Sequence, residues 1–332
     1  MNKFVKIAAT ATTALLTTTA ILMGSSAVFA ATKWDMPTPY ADGIHHTKNV
    51  RQFAEDVKKL SKGELEIKVH SGASLFKHGE IHRAIRTGQV PVGELFMAIL
   101  GNHDEIFKLD NIPFLATDFA SAKKLWDSSR PAVEKSLAKD GLKLLFAVPW
   151  PPQGIYSKKP VEAIDDLAGL KMRSYSPTLS RLSVLLKATP TTVQTPEIPQ
   201  AFSTGIIDTM ITSPSTGVSS QAWDYVSQYN DVQAWIPKNM VIVHNRSFKR
   251  LPKTVQTAVL TAAAEAEKRG WEMAEKETNI KTEALAKNGI NVTKPDAKLQ
   301  ADLAKLGEIM TKEWAKAAGD RAKQILEAYN NK

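Results

Sequence analysis

The segment LAGLKMRSYSP, residues Leu167–Pro177, combines a short strand, an arginine and the start of a helix. Leu170 and Met172 alternate with basic residues at the spacing of a β-strand, and the following Ser-Pro pair predicts a helix that begins near Thr178. The alternation places Arg173 at the end of the strand, beside small polar residues. These are the parts of an anion-binding site, so Arg173 is the first candidate for a functional residue.

A guanidinium is always charged, and its planar fork can donate two parallel hydrogen bonds to a carboxylate. Lysine cannot reproduce this geometry. An arginine at this spacing can equally form an ordinary surface salt bridge. The local pattern therefore leaves two interpretations of Arg173 open, a ligand clamp and a surface ion pair.

Two further segments, LDNIPFL at Leu109–Leu115 and PEIPQAFSTGIID at Pro196–Asp208, occur in a fixed order around LAGLKMR. Together they resemble the solute receptors of tripartite ATP-independent periplasmic (TRAP) transporters, the family first associated with C4-dicarboxylates. The resemblance covers most of the chain. It implies that Arg173 holds the carboxylate of a small organic anion, and that the partners are the integral membrane subunits of a TRAP permease.

The first residues have the pattern of a secretory leader. Lys3 and Lys6 precede an apolar, threonine-rich run, Ile7–Met23. The small residues typical of a cleavage site follow this run and end at Ala30. The apolar run is too short for a good membrane span. We therefore expect cleavage near Ala30 and a mature protein in the periplasm. The chain of 332 residues has no cysteine, so neither a disulfide nor a lipid anchor on cysteine is available.

The chain is strongly basic, with a formal net charge of +9. Its lysines are scattered among acidic residues along predicted helices and are not clustered with aromatic residues, which argues against a nucleic-acid partner. A positive field raises the encounter rate with a negative solute. Ordinary solvated helix faces explain most individual lysines equally well.

Strands alternate with helices from the start of the mature chain. Val50, Phe53 and Val57 lie at helical spacing, and Leu65–Val69 alternates as a half-exposed strand. This order predicts an α/β protein with mixed sheets flanked by helices. About 300 residues are enough for two lobes, each with its own core.

We expect the architecture of a two-lobed periplasmic binding protein. The first lobe would contain residues 31–149 and a returning segment at about 240–278, and the second would contain residues 150–239 and terminal helices at about 279–332. Alanine, glutamate and lysine dominate two predicted long helices, Pro252–Lys287 and Leu299–Tyr329. The resemblance makes the first of these a helix that bridges both lobes.

Proline residues predict two other local features. The predicted helix from Ala120 to Asp140 should be interrupted at Pro131. Pro91 lacks a backbone donor, so the strand that follows should begin there or lie at a sheet edge.

Ligands of open α/β sheets bind at loops that follow the carboxyl ends of strands. Tyr40 follows the first predicted strand, and Glu94 and Phe96 end the strand after Pro91. All three are candidate ligand contacts. Each can equally be a packing residue.

The segment Pro149–Val161, PWPPQGIYSKKPV, should cross between the lobes, because its prolines stiffen the backbone around Trp150. Members of the family carry a second ligand-binding arginine here, and the resemblance aligns Gln153 with that position. A neutral amide there leaves Arg173 as the one strong clamp and favours a monocarboxylate over a dicarboxylate. Trp150 can stack on an apolar ligand body or serve as an ordinary core residue.

Two further candidates lie later in the chain. Ser213 follows the predicted strand Ile206–Ile211 and could bond a ligand oxygen, although serines at such turns are more often helix caps. Trp235 belongs to a cluster of aromatic residues that suits a pocket wall or packing between lobes.

The sequence supports metal binding or enzyme activity less well than solute binding. His78 and His82 are four residues apart but lack the third spaced ligand of a metal motif, so neither a metal nor another cofactor is expected. No nucleophile with a base, carboxylate pair or phosphate-binding loop is evident. We therefore predict a monomeric solute-binding protein. The receptor of an ATP-driven importer is the alternative, and a periplasmic enzyme is a more distant one.

Overall fold

Three β-sheets organise residues 31–331, the part of the chain that the computed structural model describes. The expected leader, residues 1–30, lies outside the described residues. The strands are numbered by their order in the chain. In the first sheet, β1 (Thr32–Pro37) and β2 (Leu65–His70) pair in parallel.

The second sheet contains β3 (Val92–Phe96), β4 (Leu142–Pro149) and, between them, β10 (Lys238–His244), which runs antiparallel to both. The strand β3 begins directly after Pro91 and lies at the sheet edge, as its missing donor predicts.

The third sheet is mixed and has the strand order β11, β9, β5, β8, β6, β7. Its members are β5 (Gly154–Ser157), β6 (Lys171–Ser174), β7 (Thr189–Thr192), β8 (Thr209–Thr212), β9 (Gln228–Asn230) and β11 (Asn291–Thr293). Because β10 returns to the second sheet after β5–β9, the chain crosses between the sheets several times. The mixed sheets and the helices that flank them agree with the predicted α/β fold class.

Ten α-helices flank the sheets in the described residues. They are α1 (His45–Leu60), α2 (His78–Arg86), α3 (Phe119–Lys139), α4 (Pro177–Leu185), α5 (Ile198–Ser203), α6 (Pro214–Ser219), α7 (Asn245–Arg250), α8 (Lys253–Lys287), α9 (Ala297–Ala318) and α10 (Asp320–Asn330). Short 3-10 helices lie at Met97–Leu100, Glu105–Asn111, Ile164–Leu167, Thr195–Glu197 and Ala222–Asp224. Of the helices described, none is both long and apolar enough to cross a membrane.

The helix α8 confirms the predicted bridging helix. Its 35 residues correspond to a length of about 50 Å. It packs against α1 and β4 near its start and against α6 and β11 further along. The helix α8 approaches β4 closely at Gly270. A Cβ at this position would lie 2.4 Å from the side chain of Val148, so a larger residue would not fit without a shift.

Two helix predictions were wrong. The helix α3 runs through Pro131 without interruption, because its buried face packs on both sides of the proline, with Trp126 before it and Val133 after it. An interior proline costs a helix about 3 kcal/mol or more, and the packing on both sides outweighs this cost. The terminal helix is divided at Gly319, which has φ +61°, a conformation that glycine adopts at little cost.

The lobe boundaries remain a prediction. The returning segment is consistent with β10 lying in the second sheet. The terminal helices, expected in the second lobe, contact elements of both predicted lobes. The helix α10 packs against α3 of the first lobe, and α9 contacts Glu105–Asn111 of the first lobe and α4 of the second.

Candidate functional site

A cavity lies where the second sheet, the third sheet and the crossing segments meet. About 360 Å³ of space there, part of it open to the solvent, is not occupied by protein atoms. Six of the lining residues are aromatic or imidazole side chains or a proline, and six are polar or charged. They are Tyr40, His78, Phe96, Trp150, Tyr175, Pro237, Gln153, Arg173, Gln194, Thr195, Thr212 and Thr216.

Arg173 enters this cavity from β6, which lies between β7 and β8 and is therefore held on both edges. Its side chain is 2% exposed. Nε donates to the backbone oxygen of Val193 at 3.0 Å, and Nη2 approaches the Thr195 hydroxyl at 3.4 Å. The guanidinium also lies over the ring of Tyr175, 5.0 Å from its centre. Among residues 31–331 neither proton of Nη1 has a hydrogen-bond acceptor, so both can bond a ligand.

Arg173 is buried without a compensating carboxylate. Among residues 31–331, no acidic oxygen lies within 4 Å of its nitrogens, although many other arginines of the protein form such pairs. Burial lowers the pKa of Arg173 to about 10, an effect that Tyr175, Tyr225, Tyr40 and Glu197 partly oppose. A guanidinium remains charged at neutral pH even so. The site therefore presents a desolvated cation that an anion would stabilise.

Tyr40 and Trp150 form an aromatic wall, with their ring centres 5.0 Å apart in an edge-to-face arrangement. Phe96 and Tyr175 add a second edge-to-face pair, with centres 5.3 Å apart. Such rings offer flat apolar surfaces to a ligand body.

Glu94 lies behind this wall and does not line the cavity. It accepts hydrogen bonds from the Thr38 hydroxyl at 2.5 Å and from the Asn239 amide at 3.1 Å. Burial acts to raise the pKa of Glu94, but His46, Thr38 and Asn239 outweigh it, so the pKa lies below its usual value. Burial lowers the pKa of His46 itself to about 4, so we attribute the stable Glu94 carboxylate to its neutral donors.

Gln153 lines the cavity with its amide oriented by two contacts. Nε2 donates to the backbone oxygen of Pro151 at 2.8 Å, and Oε1 accepts from the Tyr175 hydroxyl at 3.1 Å. The side chain is neutral and 2% exposed. A fixed amide of this kind can contribute a hydrogen bond but no charge.

Ser213 and Trp235 are adjacent to the cavity but do not line it. The Ser213 hydroxyl caps α6 by accepting from the Thr216 backbone N–H at 3.1 Å. Trp235 is 1% exposed, and its backbone oxygen accepts from the Gln153 N–H at 3.0 Å. Ligand contact by either residue, as by the other candidates, stays a prediction.

The structure adds lining residues that the sequence did not single out for ligand binding, namely Tyr175, His78, Gln194, Thr195, Thr216 and Pro237. Tyr175 could have been found, because it follows Arg173 by two residues and lies directly after the end of β6. The others come from distant segments without a motif. Within the described chain, no three His, Asp or Glu side chains are placed to hold a metal ion.

The family model of bacterial extracellular solute-binding proteins, family 7 (DctP), matches residues 40–320. The solved structure of DctP7 from Bordetella pertussis, an extracytoplasmic solute receptor binding pyroglutamic acid, is 48% identical to this chain with a TM-score of 0.89. The match covers 90% of this chain and 100% of that one.

Two other structures are similar. DctP6 from Bordetella pertussis, also described as binding pyroglutamic acid, is 40% identical with a TM-score of 0.90, over 91% of this chain and 100% of that one. A TRAP solute-binding protein from a marine metagenome, in complex with co-purified pyroglutamate, is 36% identical with a TM-score of 0.90. That match covers 92% of this chain and 100% of the other.

Proposed function

The chain belongs to the bacterial extracellular solute-binding proteins of family 7, the receptors of TRAP transporters, and on this basis we propose that it binds pyroglutamate. Pyroglutamate is a cyclic amide with one carboxylate. Because the family consists of TRAP receptors, a TRAP receptor is favoured over the receptor of an ATP-driven importer. The relatives that bind pyroglutamate favour this ligand, and the cavity supports it independently.

The observation that carries the proposal is the buried guanidinium of Arg173, which has no acidic partner within 4 Å among the described residues. Two of its other donors are engaged by Val193 and Thr195, so the Nη1 side remains for a ligand. A carboxylate there would form charge-assisted hydrogen bonds, which are about twice as strong as neutral ones.

The rest of the cavity suits an uncharged cyclic body. Among the described residues that line it, Arg173 is the one permanent cation. A second carboxylate would be buried without a partner, at a cost of several kcal/mol. The rings of Tyr40 and Trp150 instead offer flat surfaces to a small ring, and Gln153 offers a fixed neutral amide.

Family membership makes the protein periplasmic, and the leader expected at residues 1–30 would direct its export. The mature receptor would act as a monomer, close its lobes around the ligand, and deliver it unchanged to the permease. The basic chain supports this role, because its positive field attracts anions.

The experiment is mass spectrometry of ligand retained through native purification, followed by calorimetry with pyroglutamate, glutamate, succinate and proline. We expect retained pyroglutamate and micromolar or tighter binding, with the dicarboxylates at least about a hundredfold weaker because of the unpaired charge. Tighter binding of succinate or glutamate would disprove the proposal. If X-ray scattering is unchanged when the protein is saturated with ligand, the proposed lobe closure is wrong but the proposed ligand is not affected. Chemical conversion of the ligand would contradict a purely binding role.

A further inference from the structure

His78 is the first residue of α2, and its imidazole ring lines the cavity. Two neighbours restrict the ring. The backbone N–H of Phe96 donates to His78 Nε2 at 3.0 Å. The ring of Tyr40 lies edge-to-face against it, with centres 5.7 Å apart and an interplanar angle of 72°. The orientation of the imidazole is therefore determined by the protein and is available before a ligand arrives.

The bond from Phe96 also determines the tautomer. An N–H donor requires a lone pair on Nε2, so the proton of the neutral ring must be on Nδ1. Protonation of Nε2 would leave the Phe96 N–H without an acceptor, which opposes the cationic form. Burial lowers the pKa of His78 to about 4, and Arg173 acts in the same direction, while Glu94 and Gln194 oppose the shift. At neutral pH the ring is neutral and donates through Nδ1.

Among residues 31–331 the Nδ1–H forms no hydrogen bond of ordinary geometry, and the Gln194 side chain, which also lines the cavity, is the polar group close enough to interact with the ring. Other aromatic donors at the cavity are engaged. Tyr40 and Trp150 donate to Asn239, and Tyr175 donates to Gln153. His78 thus brings to the cavity a donor with a fixed direction, which a ligand oxygen can engage in place of its loose contact with Gln194.

We infer that His78 is a specificity-determining residue that donates its Nδ1–H to the carbonyl oxygen of the cyclic amide of the ligand. The inference rests on the proposed function and deepens it, because Arg173 recognises the carboxylate and His78 recognises the uncharged end. A neutral donor bonds a carbonyl oxygen well but cannot neutralise a carboxylate. The same residue therefore selects the cyclic amide over its ring-opened dicarboxylate.

The test uses two ligands that match in ring size. Pyroglutamate has the ring carbonyl, and cyclopentanecarboxylate has neither the carbonyl nor the ring N–H. A third ligand, the γ-lactone analogue, keeps the carbonyl and replaces the ring N–H by oxygen. Calorimetry with all three separates recognition of the carbonyl from recognition of the N–H, because His78 should distinguish the first pair but not pyroglutamate from the lactone.

The protein variants are also matched. In His78→Asn, the side-chain NH2 is attached to Cγ, as Nδ1 is in histidine, so a donor is kept at that position. His78→Leu has a similar size but no donor. Both variants lose the Nε2 acceptor for the Phe96 N–H. We expect the preference for pyroglutamate over cyclopentanecarboxylate to fall about tenfold or more in His78→Leu and to recover in part in His78→Asn. Affinity for cyclopentanecarboxylate is the reference in each variant, so any general loss from the missing Phe96 acceptor cancels in the ratio of the two affinities.

An NMR measurement on the wild-type protein does not depend on the folding of the variants. Nitrogen chemical shifts of the His78 ring should show the Nδ1–H tautomer, and the Nδ1 resonance should move with pyroglutamate and the lactone but not with cyclopentanecarboxylate. An Nε2–H tautomer, or an equal loss of affinity for all three ligands in both variants, would overturn the inference. If wild type binds none of the ligands, the proposed function fails and the inference with it. If wild type binds but His78→Leu keeps its preference, the inference alone fails.

Discussion

Trp150 donates its indole N–H to the side-chain Oδ1 of Asn239 at 2.9 Å, so the polar edge of the indole is engaged within the protein. The Tyr40 hydroxyl donates to the same oxygen at 3.1 Å. The Asn239 Nδ2 in turn donates to Glu94 at 3.1 Å, so Glu94 determines which end of the amide faces the two rings. One buried amide from β10 therefore orients both rings of the aromatic wall, although it does not line the cavity itself.

Asn239→Ala should test this network. The change leaves the donors of Tyr40 and Trp150 and the carboxylate of Glu94 without their partner in a buried region, so we expect a loss of about 2–4 kcal/mol in the free energy of unfolding. Urea denaturation measures this loss. Asn288→Ala, at an exposed helix end, is the control and should change stability by less than about 0.5 kcal/mol. Equal effects of the two changes would show that the amide network contributes little.

Arg173→Lys should weaken pyroglutamate binding by about 2 kcal/mol, or roughly thirtyfold, because lysine keeps the charge but loses the planar fork. Arg173→Ala should be worse, since it also removes the charge. Calorimetry is the measurement. Arg181→Ala breaks an exposed pair with Glu313 and should leave affinity within about twofold of wild type. Wild-type affinity in Arg173→Ala would remove this residue from the binding site.

Gln153→Arg should raise the affinity for succinate relative to pyroglutamate by about tenfold or more, because it adds a cation at a buried position without altering Arg173. Gln153→Met is the matched control, since it removes the amide bonds to Pro151 and Tyr175 but adds no charge. A thermal-shift panel followed by calorimetry compares the two. An identical ligand preference in both variants would place the second end of the ligand away from residue 153.

Glu277 on α8 predicts a pH dependence of stability. Its carboxylate accepts from the Ser215 hydroxyl of α6 at 2.6 Å and lies 3.6 Å from His45 of α1. Burial acts to raise the pKa of Glu277, but His45, Ser215 and Lys281 lower it to about 2. Because the folded-state pKa is depressed, the stabilisation is present above the usual value near 4.5 and is lost as pH falls towards 2.

The shift corresponds to about 3 kcal/mol in the free energy of unfolding. Glu277→Gln should remove this part of the pH dependence between about pH 5 and pH 2, measured by urea denaturation at a series of pH values. Glu272→Gln, an exposed change on the same helix, should keep the wild-type profile. A wild-type profile in Glu277→Gln would assign the acid sensitivity to other carboxylates.

Local sequence determined the elements that depend on neighbouring residues. The alternation around Met172 predicted β6, and the Ser-Pro pair predicted α4, where the Ser176 hydroxyl accepts from the Leu179 N–H at 3.2 Å. Local rules failed where packing or backbone freedom outweighed them. Pro131 is accommodated inside α3 by buried residues on both sides, and Gly319 divides the terminal helix, although the surrounding composition favours helix.

Some residues of the candidate site could likewise be predicted from the sequence, whereas others could not. The sequence by itself predicted Arg173 as a strand-end cation and Trp150 in a crossing segment stiffened by prolines, and the resemblance to TRAP receptors pointed to Gln153 in that segment. Only the tertiary structure decided that His78 and Gln194 share a cavity with Arg173, and that Asn239 orients Tyr40 and Trp150. The physical reason is that strand and helix signals come from neighbouring residues, whereas a buried hydrogen bond depends on which distant backbones the sheet pairing brings together.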